Sequence, residues 1–461
     1  MDQLTTLTNL AEYRMKKKKP LYVAFIDFSK AYDRINRTLL WSKLQQLGLS
    51  DSMLNILKAI YHDVNCSVKV NGSLSEWFNV KCGVKQGCLL SPLLFNIYIN
   101  DLIHALNDTE EGVFFNNEKI NCLVYADDLV IMAESEESLA SQLNVLNVWC
   151  KKWGMTINSI KSKIMHFRNK NCQQTPFDFR FGDETISVVS DYKYLGLKLN
   201  EHLDFSITSK AVADSASRAL GVLIVKFKAY GGMPYSCFTK LYNALVVPII
   251  QYGAAIWGTK SFSCIDAIHN RACRFFLGVG KYTPNAAVQG DMGWPLPIYH
   301  QWSAIIRFWK RLEGMNVNRI NSRVFSFCKT SGGVRHKNLC FRVTAFFNKN
   351  GLPNLIDPIF ITNTCTRILS KIVQDKVRDI CKDEWSKSIN RIEAKNGKGN
   401  NKLRTYNKFK NDFQVEPYVE NVISRSHRSA LAKFRCGVAP IRLETGRYEN
   451  LPVNERVSFL S

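Results

Sequence analysis

The chain has 461 residues, of which 46% are hydrophobic, with 27 Phe, a formal net charge of +23 and a pI near 9.4. That length and apolar content exclude a disordered chain and allow about two to four domains with sizeable cores. So basic a protein most often meets a polyanion, nucleic acid ahead of a membrane surface, and no stretch approaches the roughly 20 apolar residues of a spanning helix.

Residues 1–14 carry no apolar signal core. The 14 cysteines form no Cys-x-x-Cys pair. They read as reduced, mostly buried thiols of an intracellular protein in cytoplasm or nucleus, not as a disulfide or zinc framework. Residues 1–20 read as a short polar lead ending in Lys16-Lys17-Lys18-Lys19-Pro20. The continuous apolar run 21–27 then predicts a central strand buried on both faces and closed by Asp27. An ionisable residue at the end of a buried strand is where α/β folds place chemistry; Asp27 equally suits the N-cap of a helix over 28–32.

Leu39, Leu40, Leu44 and Leu47 have helical spacing, with Gly48 as the stop. A second helix is expected over 51–61, capped by Ser50, with Met53, Ile56, Leu57 and Ile60 on one face. Asn71-Gly72 between the runs 66–70 and 77–81 predicts a hairpin. Gly83-Val84-Lys85-Gln86-Gly87-Cys88 forms a glycine-bracketed loop, and Ser91-Pro92 starts a buried helix over 93–106. Such a loop before a helix can approach a phosphate or a base closely.

Residues 120–124 and 129–133 are apolar and rich in β-branched residues, so they read as two strands joined by a tight turn at Tyr125-Ala126-Asp127-Asp128. Taken alone, these four residues read first as an exposed turn; burying two adjacent carboxylates at the tip of an apolar hairpin is costly unless a cation meets them, and hard divalent cations take carboxylate oxygens. Leu139, Leu143, Leu146, Cys150 and Trp153 then repeat at helical spacing, led by Glu136 and Glu137 and closed by Lys151, Lys152 and Gly154. Strands are expected at 164–167, on both sides of Gly182-Asp183, and over 192–199, where Gly196 hints at a bulge. From about residue 206 the pattern is helical: 211–230 with Lys210, Arg218, Lys226 and Lys228 along it, then 236–245, 265–277 and 302–312. The signal weakens beyond Gly332-Gly333, and 394–411 holds Lys395, Lys398, Lys402, Arg404, Lys408 and Lys410 with no acid, as a mobile basic linker would.

The order of these motifs resembles the palm of reverse transcriptases of non-LTR (LINE-type, jockey- or RTE-like) retrotransposons. The segments that carry the resemblance are Phe25-Ile26-Asp27-Phe28-Ser29-Lys30-Ala31-Tyr32-Asp33, the loop 83–92 with Leu94-Phe95-Asn96, Tyr125-Ala126-Asp127-Asp128, Asn158-Ser159-Ile160-Lys161-Ser162 and Tyr194-Leu195-Gly196. It is strong over about 1–200 and looser beyond. The implied fold is α+β: a palm at 21–202 with a small, mostly antiparallel sheet backed by helices, a helical thumb at 203–260, a helical region at 261–393, the linker 394–411 and a terminal segment 412–461.

The implied activity is RNA-directed DNA polymerisation on an RNA template with a DNA primer and deoxynucleoside triphosphates, away from membranes, using two Mg²⁺ ions or Mn²⁺ in their place. Asp27, Asp127 and Asp128 would be metal ligands and catalytic, with Lys161 assisting the triphosphate. Tyr32 would screen the sugar's 2′ position, Gln86 and Gly87 would line the nucleotide, and Tyr194, Leu195 and Gly196 would support the primer. The resemblance also implies a fragment lacking the fingers, endonuclease and C-terminal knuckle of the family. The alternative function is then a truncated, inactive RNA-binding remnant. An RNA-synthesising polymerase is a third reading, against which Ala126 and the bulk of Tyr32 argue.

Overall fold

The apolar run at 21–27 is a strand because nearly every residue in it is buried, so neither face needs polar alternation. In the computed structural model, which describes residues 1–116, 118–330, 338–390, 403 and 406–439, it is β1 (Leu21–Asp27). The described residues form two compact units, one built from Met1–Asp204 and Arg323–Asn338, the other from Phe205–Ser322 and the chain after Leu339.

In the first unit, α1 (Asp2–Lys16) precedes β1, and α2 (Arg37–Gln46) and α3 (Asp51–Ile60) follow it. Two short hairpins come next: β2 (Asn65–Cys66) pairs with β5 (Phe78–Asn79) and encloses β3 (Lys69–Val70) with β4 (Ser73–Leu74). Asn71 and Gly72 both have positive φ at the inner turn, as a two-residue hairpin requires. After α4 (Ser91–Asn107) run β6 (Val113–Phe115), β7 (Glu118–Ile120), β8 (Cys122–Tyr125), β9 (Asp128–Ala133), α5 (Glu136–Trp153) and β10 (Lys163–Phe167). Two hairpins close the unit, β11 (Arg180–Phe181) with β12 (Glu184–Thr185) and β13 (Asp191–Tyr194) with β14 (Leu197–Asn200).

The main sheet has the order β10-β1-β9-β8, with every ladder antiparallel. Tyr22, Ala24 and Ile26 of β1 point into one core with Leu139, Leu143, Leu146 and Trp149 of α5 and Phe95, Tyr98 and Leu102 of α4. Phe25 points the other way, where Tyr192 of β13 stacks on it at 4.4 Å. The helix α5 forms as its ends dictate. Ser135 Oγ accepts the Ser138 N–H at 3.1 Å, and Gly154 takes the left-handed C-terminal position.

Several expectations need correction. The lead segment is a helix, buried at Leu4, Leu7, Leu10 and Ala11. Its apolar spacing was hidden by Thr5, Thr6, Thr8 and Asn9, which are buried too. No helix follows Asp27, because Lys30 at φ 50° turns the chain, so Asp27 caps nothing. On α3 it is Leu54 and Leu57 that face the core, whereas Met53, Ile56 and Ile60 are exposed. Residues 192–199 are not one bulged strand but a hairpin, with Leu195 and Gly196 at φ 44° and 80° in its two-residue turn. Seven of the 14 cysteines are buried, rather than most, and all are free.

The second unit is helical among its described residues: α6 (Phe205–Ala229), α7 (Tyr235–Leu245), α8 (Val247–Gln251), α9 (Ala254–Trp257), α10 (Ser263–Leu277), α11 (Asn285–Met292) and α12 (Pro297–Glu313). Then come α13 (Ile320–Thr330), whose latter part belongs to the first unit, α14 (Leu339–Lys349), α15 (Pro358–Asn363), α16 (Thr366–Asn390), α17 (Pro417–Asn421) and α18 (Arg425–Arg435). No described helix is long and apolar enough to cross a membrane. Gly332-Gly333, most of the expected basic linker and residues 440–461 lie outside the described residues. Of residues 406–410, expected in that linker, Tyr406 and Lys410 are buried, Lys410 pairs with Glu416, and Lys408 and Phe409 are exposed.

Candidate active site

The site begins where β1 ends. Register pairs Asp27 with Asp128, the first residue of β9, so carboxylates a hundred residues apart in sequence become cross-strand partners. The β8–β9 turn consists of Ala126 and Asp127, between the paired residues Tyr125 and Asp128. Ala126 stands at φ 54°, a left-handed conformation that costs an alanine roughly 1–2 kcal/mol. We expect Ala126→Gly to raise unfolding stability by about 0.5–1 kcal/mol, since glycine relieves that cost but loses more chain entropy on folding. Chemical denaturation with an unchanged m-value checks it; equal or lower stability would show that the turn is not strained.

A second segment fixes Asp27 from the other side. Its N–H donates to Ser162 Oγ at 3.1 Å and its carbonyl accepts the Asn158 N–H at 2.7 Å. Asn158 Oδ1 in turn accepts the Lys161 N–H at 3.1 Å. This compact turn brings Lys161 Nζ to 3.9 Å from Asp27 Oδ2. Both groups are partly exposed, so the pair is electrostatically modest on its own.

Asp27, Tyr32, Gln86, Asp127 and Lys161 line one cleft of about 550 Å³, with Lys30, Arg34 and Asn158 also on its wall. The Tyr32 ring stacks on the buried Phe95 of α4 at 5.1 Å and 17°. The loop carrying Gln86 is pressed against the chain after Tyr32. Val84 N–H donates to the Tyr32 carbonyl at 2.8 Å, and a Cβ on Gly83 would stand 2.8 Å from Asp33 Cα, so only glycine fits there. Arg37 clamps the same loop through the carbonyls of Gly83 and Cys82, and Gln86 Nε2 donates to Asp33 Oδ1 at 3.0 Å.

The remaining expected residues sit elsewhere. Asp128 is half-buried beside the cleft. Gly87 turns the loop at φ 83° and is not on the cleft wall. Tyr194, Leu195 and Gly196 form the β13–β14 turn, with Tyr194 buried against Phe25 at 5.3 Å and off the wall of the cleft. Sequence reasoning missed Lys30, Arg34, Arg37 and the pair Asn158 and Ser162 as positioning groups. Only Asn158, at the head of a turn, carried a local signal.

Burial pushes the Asp128 carboxyl above its ordinary value, and the carboxylates of Asp127 and Asp27 push it further. Burial and then Asp128 likewise raise the phenols of Tyr192 and Tyr194. Among the described residues no three His, Cys, Asp or Glu side chains form a metal cage. Two carboxylates on an open wall, backed by a third, nonetheless fit the way Mg²⁺ binds: one or two carboxylates, substrate phosphates and retained waters.

Residues 1–199 match the reverse transcriptase (RNA-dependent DNA polymerase) family. The chain is similar to the probable RNA-directed DNA polymerase from transposon BS of Drosophila melanogaster, 25% identical over 305 residues, or 63% of this chain and 33% of that protein. It is similar to the RNA-directed DNA polymerase from mobile element jockey of the same fly, 25% identical over 64% of this chain and 32% of that protein. It also resembles the Pol polyprotein of the type-1 retrotransposable element R2 of Nasonia vitripennis, 29% identical over 42% of this chain and 19% of that protein. These relatives are polymerases of non-LTR retrotransposons, as the motif order implied, and the chain spans about a third of the length of the first two. Among solved structures, apo telomerase from Candida tropicalis aligns with 82% of this chain and 56% of its own at 12% identity and a TM-score of 0.35.

Proposed function

We propose, from a chain whose first 199 residues match the reverse transcriptase family, RNA-templated addition of deoxynucleotides to a primer 3′-hydroxyl. The observation that carries this reading is the register pairing of Asp27 with Asp128, which puts Asp27 and Asp127 on one cleft with Lys161. Asp27 and Asp127 would hold Mg²⁺, with Asp128 as the supporting carboxylate. When bound, two such ions supply activation of the attacking hydroxyl and neutralisation of the leaving pyrophosphate.

The chain's own residues do the rest. Lys161 carries a positive charge at the wall and stabilises the charge that develops on the leaving pyrophosphate, with a proton available at Nζ. Tyr32, held by Phe95, lies beneath the ribose and leaves no space for a 2′-hydroxyl. Gln86, tied to Asp33, orients its loop toward the nucleotide. The β13–β14 turn supports the primer end. In the second unit, Lys210, Arg218, Lys226 and Lys228 all stand exposed along α6 and take duplex phosphates as a thumb does.

Extension of a DNA primer on an RNA template tests the reading. We also expect affinity for RNA–DNA duplex to fall steeply with salt, because a chain of +23 binds largely by releasing counterions. With six or more phosphates neutralised, affinity drops on the order of 10³-fold between 50 and 200 mM salt. Fluorescence anisotropy titrations across that range measure the slope, and a constant indifferent to salt would contradict it.

A further inference from the structure

The second unit carries a surface that the cleft does not explain. Helix α18 (Arg425–Arg435) is anchored inward by Arg428, which is 1% exposed and donates through Nε to the Phe276 carbonyl at 2.9 Å, and by the buried Ala432. Ser429 Oγ adds a bond to the Gly278 carbonyl at 2.6 Å. With 428 and 432 facing in, helical periodicity turns 427, 431 and 434 out. Phe434 is accordingly 49% exposed and Leu431 42% exposed. The Phe434 ring lies 5.8 Å from that of Phe409, itself 44% exposed, so two aromatic rings stand side by side in solvent.

The setting of this pair is basic. The eleven residues of α18 hold Arg425, Arg428, Lys433 and Arg435 with no acid, and the exposed Lys408 precedes Phe409. Arg435 is spoken for by Asp291 and Glu416, and Arg428 is buried; the exposed Arg425, whose guanidinium lies 4.9 Å from the Phe275 ring, the half-buried Lys433 and the exposed Lys408 are the charges that can meet an outside partner. Of the acids nearby, Asp291 is 0% exposed, Glu416 pairs with Lys410 and Arg435, and Asp412 pairs with Lys382, while Glu420 of α17 is exposed.

An exposed aromatic pair costs the free protein nothing specific, but the rings offer π-faces to an unpaired base, while the flanking cations meet phosphates. A duplex keeps its bases paired and stacked on one another, so its backbone and groove edges give such rings no face to stack on. The geometry points to a binding surface for single-stranded nucleic acid at Phe409, Phe434, Arg425 and Lys433, residues that belong neither to the cleft nor to α6. Unpaired bases stack on the two rings, and the strand's phosphates lie against Arg425, Lys433 and Lys408. Strand ends or loops of an RNA are the chemistry that would reach it.

The test uses the full chain, a fluorescein-labelled 20-mer of uridine and a 20-base-pair RNA–DNA duplex. The Phe409→Ala/Phe434→Ala variant should lose about tenfold or more in affinity for the single strand, with its salt slope unchanged and its duplex affinity within twofold of wild type. Phe434→Tyr, which keeps a stacking face, should retain the affinity. Independently, Arg425→Gln/Lys433→Gln should weaken single-strand binding and reduce the salt slope by about 0.7 for each phosphate left unneutralised. This second variant decides the matter if truncation of the rings lowers the melting temperature. An unchanged affinity for the 20-mer in both variants would overturn the proposal. So would an equal loss on duplex and single strand. Wild-type binding to phosphatidylcholine–phosphatidylserine vesicles that is lost in the Ala variant, with the 20-mer still bound, would assign the patch to a membrane surface instead.

Discussion

Asp27→Asn and Asp127→Asn each lower RNA-templated primer extension by about 10³-fold or more, on the scale of losing a group that stabilises charge only in the transition state. The expectation rests on geometry, because the register brings both residues to one cleft from separate strand ends. Neither substitution threatens the fold. Asp27 is held by its backbone N–H and carbonyl, which the variant keeps, and its side chain is 33% exposed. Asp127 lies in an exposed turn.

Stability should move the other way from activity. The Asp128 carboxyl is raised by burial and then by Asp127 and Asp27. A carboxyl raised in the folded state binds its proton more tightly there than in the unfolded chain. The fold therefore loses stability as pH climbs from the ordinary carboxylate range through the raised value, and the whole penalty is present above that value. Asp127→Asn removes one of its causes, so the variant should melt no lower than wild type at pH 7, with the difference vanishing below the carboxylate range. Millimolar Mg²⁺ or Mn²⁺ should raise the wild-type melting temperature, and that shift should be lost in either Asn variant. Extension at the wild-type rate by either variant would remove these carboxylates from the chemistry.

Tyr32→Ala should lower discrimination between deoxy- and ribonucleotides by about 10²-fold or more, a steric exclusion of several kcal/mol being what a rigid ring can impose on one added hydroxyl. The ring is rigid because it stacks on Phe95, whose own side chain is fully buried, while its other face lines the cleft. The same stack gives the residue a packing role. Its truncation should cost roughly 1–3 kcal/mol, less than for a fully buried aromatic because Tyr32 is only half-buried. The two roles separate cleanly. A packing tyrosine would lower incorporation of both nucleotide types together, whereas the gate changes their ratio and leaves deoxynucleotide incorporation largely intact. Single-nucleotide insertion kinetics with matched dCTP and CTP read that ratio, and an unchanged ratio with a lowered melting temperature would leave Tyr32 as packing alone.

The parts of this molecule that were legible in the sequence are those whose cause is local. The continuous apolar run before Asp27 read as a strand buried on both faces, and α5 announced itself through Glu136 and Glu137, Lys151 and Lys152, and Gly154, while its Ser135 cap went unread. The carboxylates stood out because charge at the tip of an apolar hairpin needs a reason. What failed depended on tertiary context. Helix α1 looked polar because its buried threonines and Asn9 are offset by packing that no local pattern reveals. Of the apolar face read from Met53, Ile56, Leu57 and Ile60, only Leu57 is buried, together with Leu54, since what α3 buries is decided by what packs on it, α2 above all. The turn at Leu195-Gly196 was taken for a bulge because only one of its two positive-φ residues is a glycine. Helix α16 buries Leu369, Val373, Val377, Cys381, Trp385 and Ile389, a four-residue repeat that the surrounding charges obscured. Lys30, Arg34 and Arg37 reach the site or its loop only because the chain after β1 folds back as turns rather than as a helix.

The most direct test is extension of a 5′-labelled DNA primer annealed to an RNA template, by the purified chain with Mg²⁺ and one deoxynucleoside triphosphate at a time. The proposed function predicts that the primer grows only with the nucleotide complementary to the next template base, that chelation of the metal stops growth, and that Asp127→Asn abolishes it. Primer that stays at its starting length with every nucleotide, although the wild-type chain is folded and binds the primer–template, would contradict it.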